Sequence, residues 1–379
     1  MQYRKFGNTG KMISALGFGC MRLPEFEKDG KWYIDEDKAI PMLLKAYEAG
    51  VNYFDTAHMY CHDNSQYTLG KAMKNVKRED VMLATKQPLH LVEKTSDYRK
   101  VLDDQLSRLD TPYIDFYHFH GINKGAYDGK IKPLKLMNEA RKAIDEGLIK
   151  HMSFSFHGNP DDMPYIIEQG EIFSSVLLQY NLLDRSHEKA IAYLAEKGVG
   201  VVAMGPVAGG RLAAPSTKLA EGILGNKESV ATYELALRFV LGNPNVSCAL
   251  SGMTTMETVE QNLKVANVEN PMTEKDFANA KAAMEEMKKL SDLYCTGCDY
   301  CMPCPQEIKI PRVFNAYIYH NVYGLSGHAR HMYREIGRNE HAGKPVSECI
   351  ECGACEPKCP QNIKIIEKLK EVDKVFAEM

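Results

Sequence analysis

Eight of the chain's eleven cysteines fall between residues 295 and 359, in two runs. The second run is Cys349-x2-Cys352-x2-Cys355-x3-Cys359-Pro360, and the first is Cys295-x2-Cys298-x2-Cys301-x2-Cys304-Pro305. Three cysteines at intervals of three wrap a four-iron cubane, and the fourth, followed by proline, leaves for the other cluster. Crossed ligation of this kind expects one 4Fe–4S cluster on Cys295, Cys298, Cys301 and Cys359. The other would use Cys349, Cys352, Cys355 and Cys304. The first run is one residue shorter before its Cys-Pro, which is its one departure from the pattern. Zinc also binds Cys-x2-Cys pairs, but it gives no reason for a triplet plus Cys-Pro to occur twice.

The remaining cysteines, Cys20, Cys61 and Cys248, are scattered. Disulfide stapling suits small secreted domains, and no apolar run follows Met1-Gln2-Tyr3-Arg4-Lys5 to act as a signal peptide. No window approaches the roughly 18–20 apolar residues of a membrane helix. A cytoplasmic location is expected. The formal net charge of −3 gives no reason to expect binding to nucleic acid or a membrane.

Upstream of the cysteines, short apolar runs alternate with amphipathic stretches. The runs are 15–19, 52–56, 81–85, 114–118, 151–155, 176–180, 200–204 and 246–250. Their length and β-branched content favour strands. Helical patterns cover 36–49, 98–109, 134–146, 188–197 and 230–241, four of them closing on Gly50, Gly147, Gly198 and Gly242. Eight such units over about 250 residues match a parallel (β/α)8 barrel. Tyr3 to Ser14, with a Gly7-Asn8-Thr9-Gly10 turn, reads as a hairpin before the first strand, and a charged helix over 273–290 leads out. The expected division is a barrel over residues 1–290 and a cluster domain over 291–379.

Reactive residues of a parallel barrel sit at the C-terminal ends of its strands. Strand two ends Phe54-Asp55-Thr56-Ala57-His58-Met59-Tyr60, strand three ends Leu83-Ala84-Thr85-Lys86, and strand four ends Asp115-Phe116-Tyr117-His118-Phe119-His120. In order and spacing, Asp55, Tyr60, Lys86 and His120 resemble the tetrad of the aldo-keto reductase family. The resemblance implies that Tyr60 protonates a substrate carbonyl, Lys86 lowers the Tyr60 pKa with Asp55 pairing the lysine, and His120 orients the carbonyl. His118 is read as packing, and a metal ion on His58, His62 and His157 as a minor alternative. The stretch from Pro311 to Lys344 resembles the helical linkers of α-helical ferredoxins.

The same resemblance locates a nicotinamide site, and the chain matches it only in part. Ser155 and Gln179 match the residues that hold the carboxamide, and Asn262 matches the closing Asn of the phosphate motif. Phe156 stands where an Asn is usual, and Met204 where an aromatic ring stacks. Gly252 and Thr258 stand at the cationic pair that grips a 2′-phosphate. The loop Pro206-Val207-Ala208-Gly209-Gly210-Arg211-Leu212 follows strand seven, where such barrels often hold phosphate. Its glycines admit close approach and Arg211 supplies charge. NAD(P)H is the expected cofactor, without strong preference for NADPH. Clusters pass single electrons and nicotinamide a pair, so a flavin, which does both, is the alternative at the mouth. The expected partners are a small carbonyl compound and an electron carrier such as a ferredoxin, in an anaerobic setting.

Overall fold

The computed structural model describes residues 1–379 except 211, 214–222, 224–230, 270–271, 290–292, 294, 296–300 and 360–361, and leaves out the side chains of 286–289 and 340. The chain forms two compact units, Met1–Gly209 with Ala236–Thr273, and Gly210–Leu235 with Glu274–Met379.

The first unit is a closed barrel of eight parallel strands. In chain order these are β1 (Leu16–Gly19), β2 (Tyr53–Asp55), β3 (Met82–Gln87), β4 (Ile114–Ile122), β5 (Ile149–Phe156), β6 (Phe173–Gln179), β7 (Gly200–Met204) and β8 (Cys248–Gly252). Every residue of β3 is buried, as expected where helices cover the outside and side chains fill the inside. Eight helices follow the strands: α1 (Glu36–Glu48), α2 (Ser65–Met73), α3 (Asp97–Leu109), α4 (Leu136–Asp145), α5 (Met163–Gly170), α6 (Glu188–Glu196), α7 (Thr232–Gly242) and α8 (Met256–Ala266). Helix α3 shows why they pack: Tyr98, Leu102, Gln105 and Leu109 are its buried residues and share one face.

The base of the barrel is closed by an antiparallel hairpin, Tyr3–Lys5 with Met12–Ser14. Its Phe6 is fully buried and lies 4.6 Å from Phe116 and 5.9 Å from Tyr53 between ring centroids. A Cβ at residue 200 would sit 2.3 Å from the Phe6 ring, so glycine is required there. A second hairpin, Glu25–Lys28 with Lys31–Ile34, rises from the mouth after β1.

The second unit contains the helices α9 (Glu274–Lys289), α10 (Ile310–Asn321), α11 (Ser326–Arg334) and α12 (Ile365–Ala377), and no strand occurs among its described residues. The sequence reads the first of these as the exit from the barrel; it falls with this unit. Its core is built from Val313, Phe314, Ile365, Leu369 and Val372 among others, and Cys295, Cys301, Cys304, Cys349, Cys355 and Cys359 pack against that core.

Candidate active site and cysteine module

Asp55 closes β2 and Lys86 lies next to last in β3, in paired strands. The Lys86 ammonium donates to Asp55 Oδ1 at 2.5 Å and to the Thr56 carbonyl at 2.7 Å, and both side chains are almost wholly buried. The strand end is anchored from outside: Gln105 of α3 donates to the Lys86 carbonyl at 2.8 Å, and Gln66 of α2 to Thr85 Oγ1 at 2.8 Å. Tyr60 stands over the ammonium, with Lys86 Nζ 4.6 Å from its ring centroid. The His120 ring meets Tyr60 edge-on at 6.1 Å. The four residues expected from the sequence are therefore neighbours.

Burial dominates their protonation. It pushes the Tyr60 hydroxyl above the usual range, and the opposing pull of Lys86 only partly offsets it. The expectation that Lys86 leaves Tyr60 with a lowered pKa is thus right about the lysine's sign and wrong about the net direction. Burial lowers Lys86 too, but Asp55 and Tyr60 together raise it above the ordinary value, so it stays charged. Asp55 is raised by burial against the pull of Lys86. His120 is pushed down to about 3 by burial and by Lys86, which keeps it neutral. His118 is buried with its Nε2 3.3 Å from the Tyr53 hydroxyl, a core position.

The loop that carries Tyr60 is tightly held. Cys61, His62 and Asp63 all have left-handed backbone, with φ of 51°, 51° and 67°, a conformation that costs residues with a Cβ. The second hairpin, which the sequence reading missed, braces it. The Trp32 ring stacks on His62 at 5.2 Å, Glu25 pairs with His62 Nδ1 at 2.8 Å, and Asn64 donates to the Trp32 carbonyl at 3.1 Å. The signal was present: Asp29-Gly30, with φ of 52° and 72°, is a two-residue hairpin turn flanked by Phe26, Trp32 and Tyr33. His58 lies 3.6 Å from Asp63 and 3.7 Å from Asp104.

Around the mouth, Ser155 Oγ accepts from the Gly121 amide at 2.7 Å, and Gln179 donates to Asp184 at 2.6 Å. Phe156 is fully buried and edge-on to His187 at 5.7 Å, so it belongs to the core. Met204 is partly buried against the barrel interior. Asn262 is buried and donates to Ser251 Oγ at 2.8 Å, which ties α8 to β8. Val207 sits at the turn leading to Ala208–Gly210, and Gly209 has φ of 67°. Arg211 and Cys298 lie outside the described residues.

In the second unit, Cys304 shares one cavity with Cys301, Cys349, Cys352 and Cys355. Burial raises the Cys355 thiol, and the nearby Cys352 and Cys304 add to that shift. Among the described residues no three His, Cys, Asp or Glu side chains close on one another as the ligands of a single ion would. No helix among the described residues is long and apolar enough to cross a membrane.

Comparison with known proteins agrees with this fold. Residues 15–285 match the model of the aldo/keto reductase family, and residues 294–364 match that of a 4Fe–4S dicluster domain. The chain is 28% identical over 325 residues to the uncharacterized oxidoreductase YqkF of Bacillus subtilis, covering 78% of this chain and 98% of that one. It is 29% identical over 325 residues to L-galactose dehydrogenase of Arabidopsis thaliana, covering 77% and 97%. Among solved structures it resembles aldo-keto reductase AKR11C1 from Bacillus halodurans in its holo form, with a TM-score of 0.64, 27% identity, and coverage of 75% of this chain and 96% of that one. The chain belongs to the aldo/keto reductase family of oxidoreductases and carries a 4Fe–4S dicluster domain after its barrel.

Proposed function

We propose that this oxidoreductase reduces a carbonyl, or a related polarised double bond, at the barrel mouth, with Tyr60 as the general acid. Two four-iron clusters would serve it from the cysteine module, with the functional division at residue 290. The observation that carries the reading is the placement of Tyr60 and His120 around the buried Asp55–Lys86 pair.

An ammonium has three donors. Asp55 and Thr56 take two of those on Lys86, which leaves one for Tyr60. The Tyr60 hydroxyl gives its proton to the carbonyl oxygen, and Lys86 stabilises the charge left on the phenol ring oxygen. His120, neutral, has one ring N–H with which to orient the same oxygen. A reduced nicotinamide, held at its carboxamide by Ser155 and Gln179, would supply the hydride.

The pH dependence follows from these shifts. Tyr60 acts as an acid, so activity falls as pH rises through its pKa. Because that pKa lies above the ordinary value of about 10, kcat/KM should stay level from about pH 5 to 9 and decline only beyond. His120 is already neutral throughout that range. A profile of kcat/KM against pH checks this, and a limb between about pH 6 and 7 would assign the limiting proton to histidine instead.

An external electron carrier is favoured by one feature of the cysteine module. Exposed Lys309, Arg338 and Lys344 outnumber Glu307 in the lining of a cavity of about 560 Å³ that reaches Cys304. Cations beside a cluster ligand suit an acidic carrier such as a ferredoxin. The clusters would pass its electrons one at a time, and a flavin at the barrel mouth would collect the pair that carbonyl reduction needs. Anaerobic assays with an aldehyde, using either NADH or a reduced viologen, separate the two supplies. Turnover with NADH alone would set the carrier aside, and turnover with neither would overturn carbonyl reduction of that aldehyde class.

A further inference from the structure

The cations that would grip a nucleotide phosphate are missing at Gly252 and Thr258. Thr258 is engaged in capping α8, its hydroxyl 2.8 Å from that of Thr255. Another residue occupies the same ground. Arg22 ends the short turn Cys20–Arg22 that follows β1. Its stem crosses the end of β8, where the Cβ position of residue 252 lies 3.5 Å from Arg22 Cδ and 3.7 Å from its Cβ and Cγ.

The guanidinium continues towards the loop after β7. There Nη2 lies 3.8 Å from the Cβ position of residue 209. Strands β7 and β8 are paired neighbours, so the side chain spans the mouth between Gly252, at the end of β8, and Gly209, in the loop after β7. Larger residues at 209 and 252 would fill the space it uses. Arg22 is exposed and has no hydrogen bond or ion pair among the described residues. The loops after strands seven and eight are where barrels of this kind commonly hold phosphate, and a guanidinium fork matches phosphate oxygens two at a time.

We propose that Arg22 grips a phosphate of the nucleotide bound at the barrel mouth, in place of the missing pair. This rests on the reading that the barrel takes a nicotinamide dinucleotide. It reaches a residue far from Gly252 and Thr258 in sequence, supplied by the opposite end of the barrel's chain.

Anaerobic titration calorimetry on the parent, Arg22→Ala and Arg22→Lys, with NADH, NADPH and ADP, tests it. Arg22→Ala should weaken binding about tenfold or more, equivalent to about 1.4 kcal/mol, and Arg22→Lys should recover part of that. Loss confined to NADPH assigns the guanidinium to the 2′-phosphate. Equal loss for all three ligands assigns it to the diphosphate. Unchanged affinities in Arg22→Ala overturn the proposal. A parent that binds ADP through Arg22 but neither dinucleotide overturns the nicotinamide reading and leaves the grip standing. A parent that binds none of the three overturns both.

Discussion

Tyr60→Phe is expected to lower carbonyl reduction by about 10²–10⁴-fold while leaving iron content unchanged. The substitution keeps the ring that lies 4.6 Å from Lys86 Nζ and edge-on to His120 at 6.1 Å. It removes only the hydroxyl, and with it the one group here that combines a labile proton with a neighbouring cation. Lys86 remains paired to Asp55, so the barrel should stay folded. Lys86→Met is a harsher change, because it leaves the buried Asp55 without its counter-ion; a loss of about 3–5 kcal/mol in urea unfolding is expected. Comparing the two separates chemistry from stability. Parental turnover in the Phe variant would remove Tyr60 from the mechanism and favour an alternative reading, in which the barrel is a docking scaffold for an electron-transfer or redox-sensing protein.

The second large effect concerns the cysteines. Anaerobically prepared protein should contain about eight iron and eight sulfide per chain, as two cubanes require. Cys304→Ala should retain about half, and so should Cys355→Ala. Their shared cavity makes the double variant informative. If Cys304 and Cys355 hold the same cluster, Cys304→Ala with Cys355→Ala still retains about four iron, since the other cluster is untouched. If they hold different clusters, the double variant loses nearly all its iron and crossed ligation is wrong. Zinc in the parent, without visible colour, would sink the assignment altogether.

The elements that were legible in the sequence share one property: apolar residues make up most of their buried faces. All eight strands were visible for that reason, and so was α3. Helix α2 was not, because it buries Ser65, Gln66, Thr68 and Gly70 beside Leu69, Ala72 and Met73. Polar residues serving the strand ends erase the periodicity that marks a helix. The tetrad was readable because each member lies close to the end of a short apolar run. Its protonation was not: Lys86 announces a charge near Tyr60, but burial depends on the whole barrel closing. Arg22 was hidden for a similar reason, since the two glycines it crosses lie far along the chain, in the loop after β7 and at the end of β8.

Phe6 bears on how this barrel comes into being. Its ring fits against Gly200, at the start of β7, so the hairpin before β1 awaits one of the last strands to complete its packing. Arg4 shares this dependence, donating to the carbonyl of Val246 at 2.7 Å. Contacts so distant along the chain are slow to form, because loop-closure entropy is lost before they contribute anything. A chain that lacked β7 would therefore hold Phe6 on one side only, against Phe116 and Tyr53, and its hairpin would stay loosely docked until the seventh strand arrived.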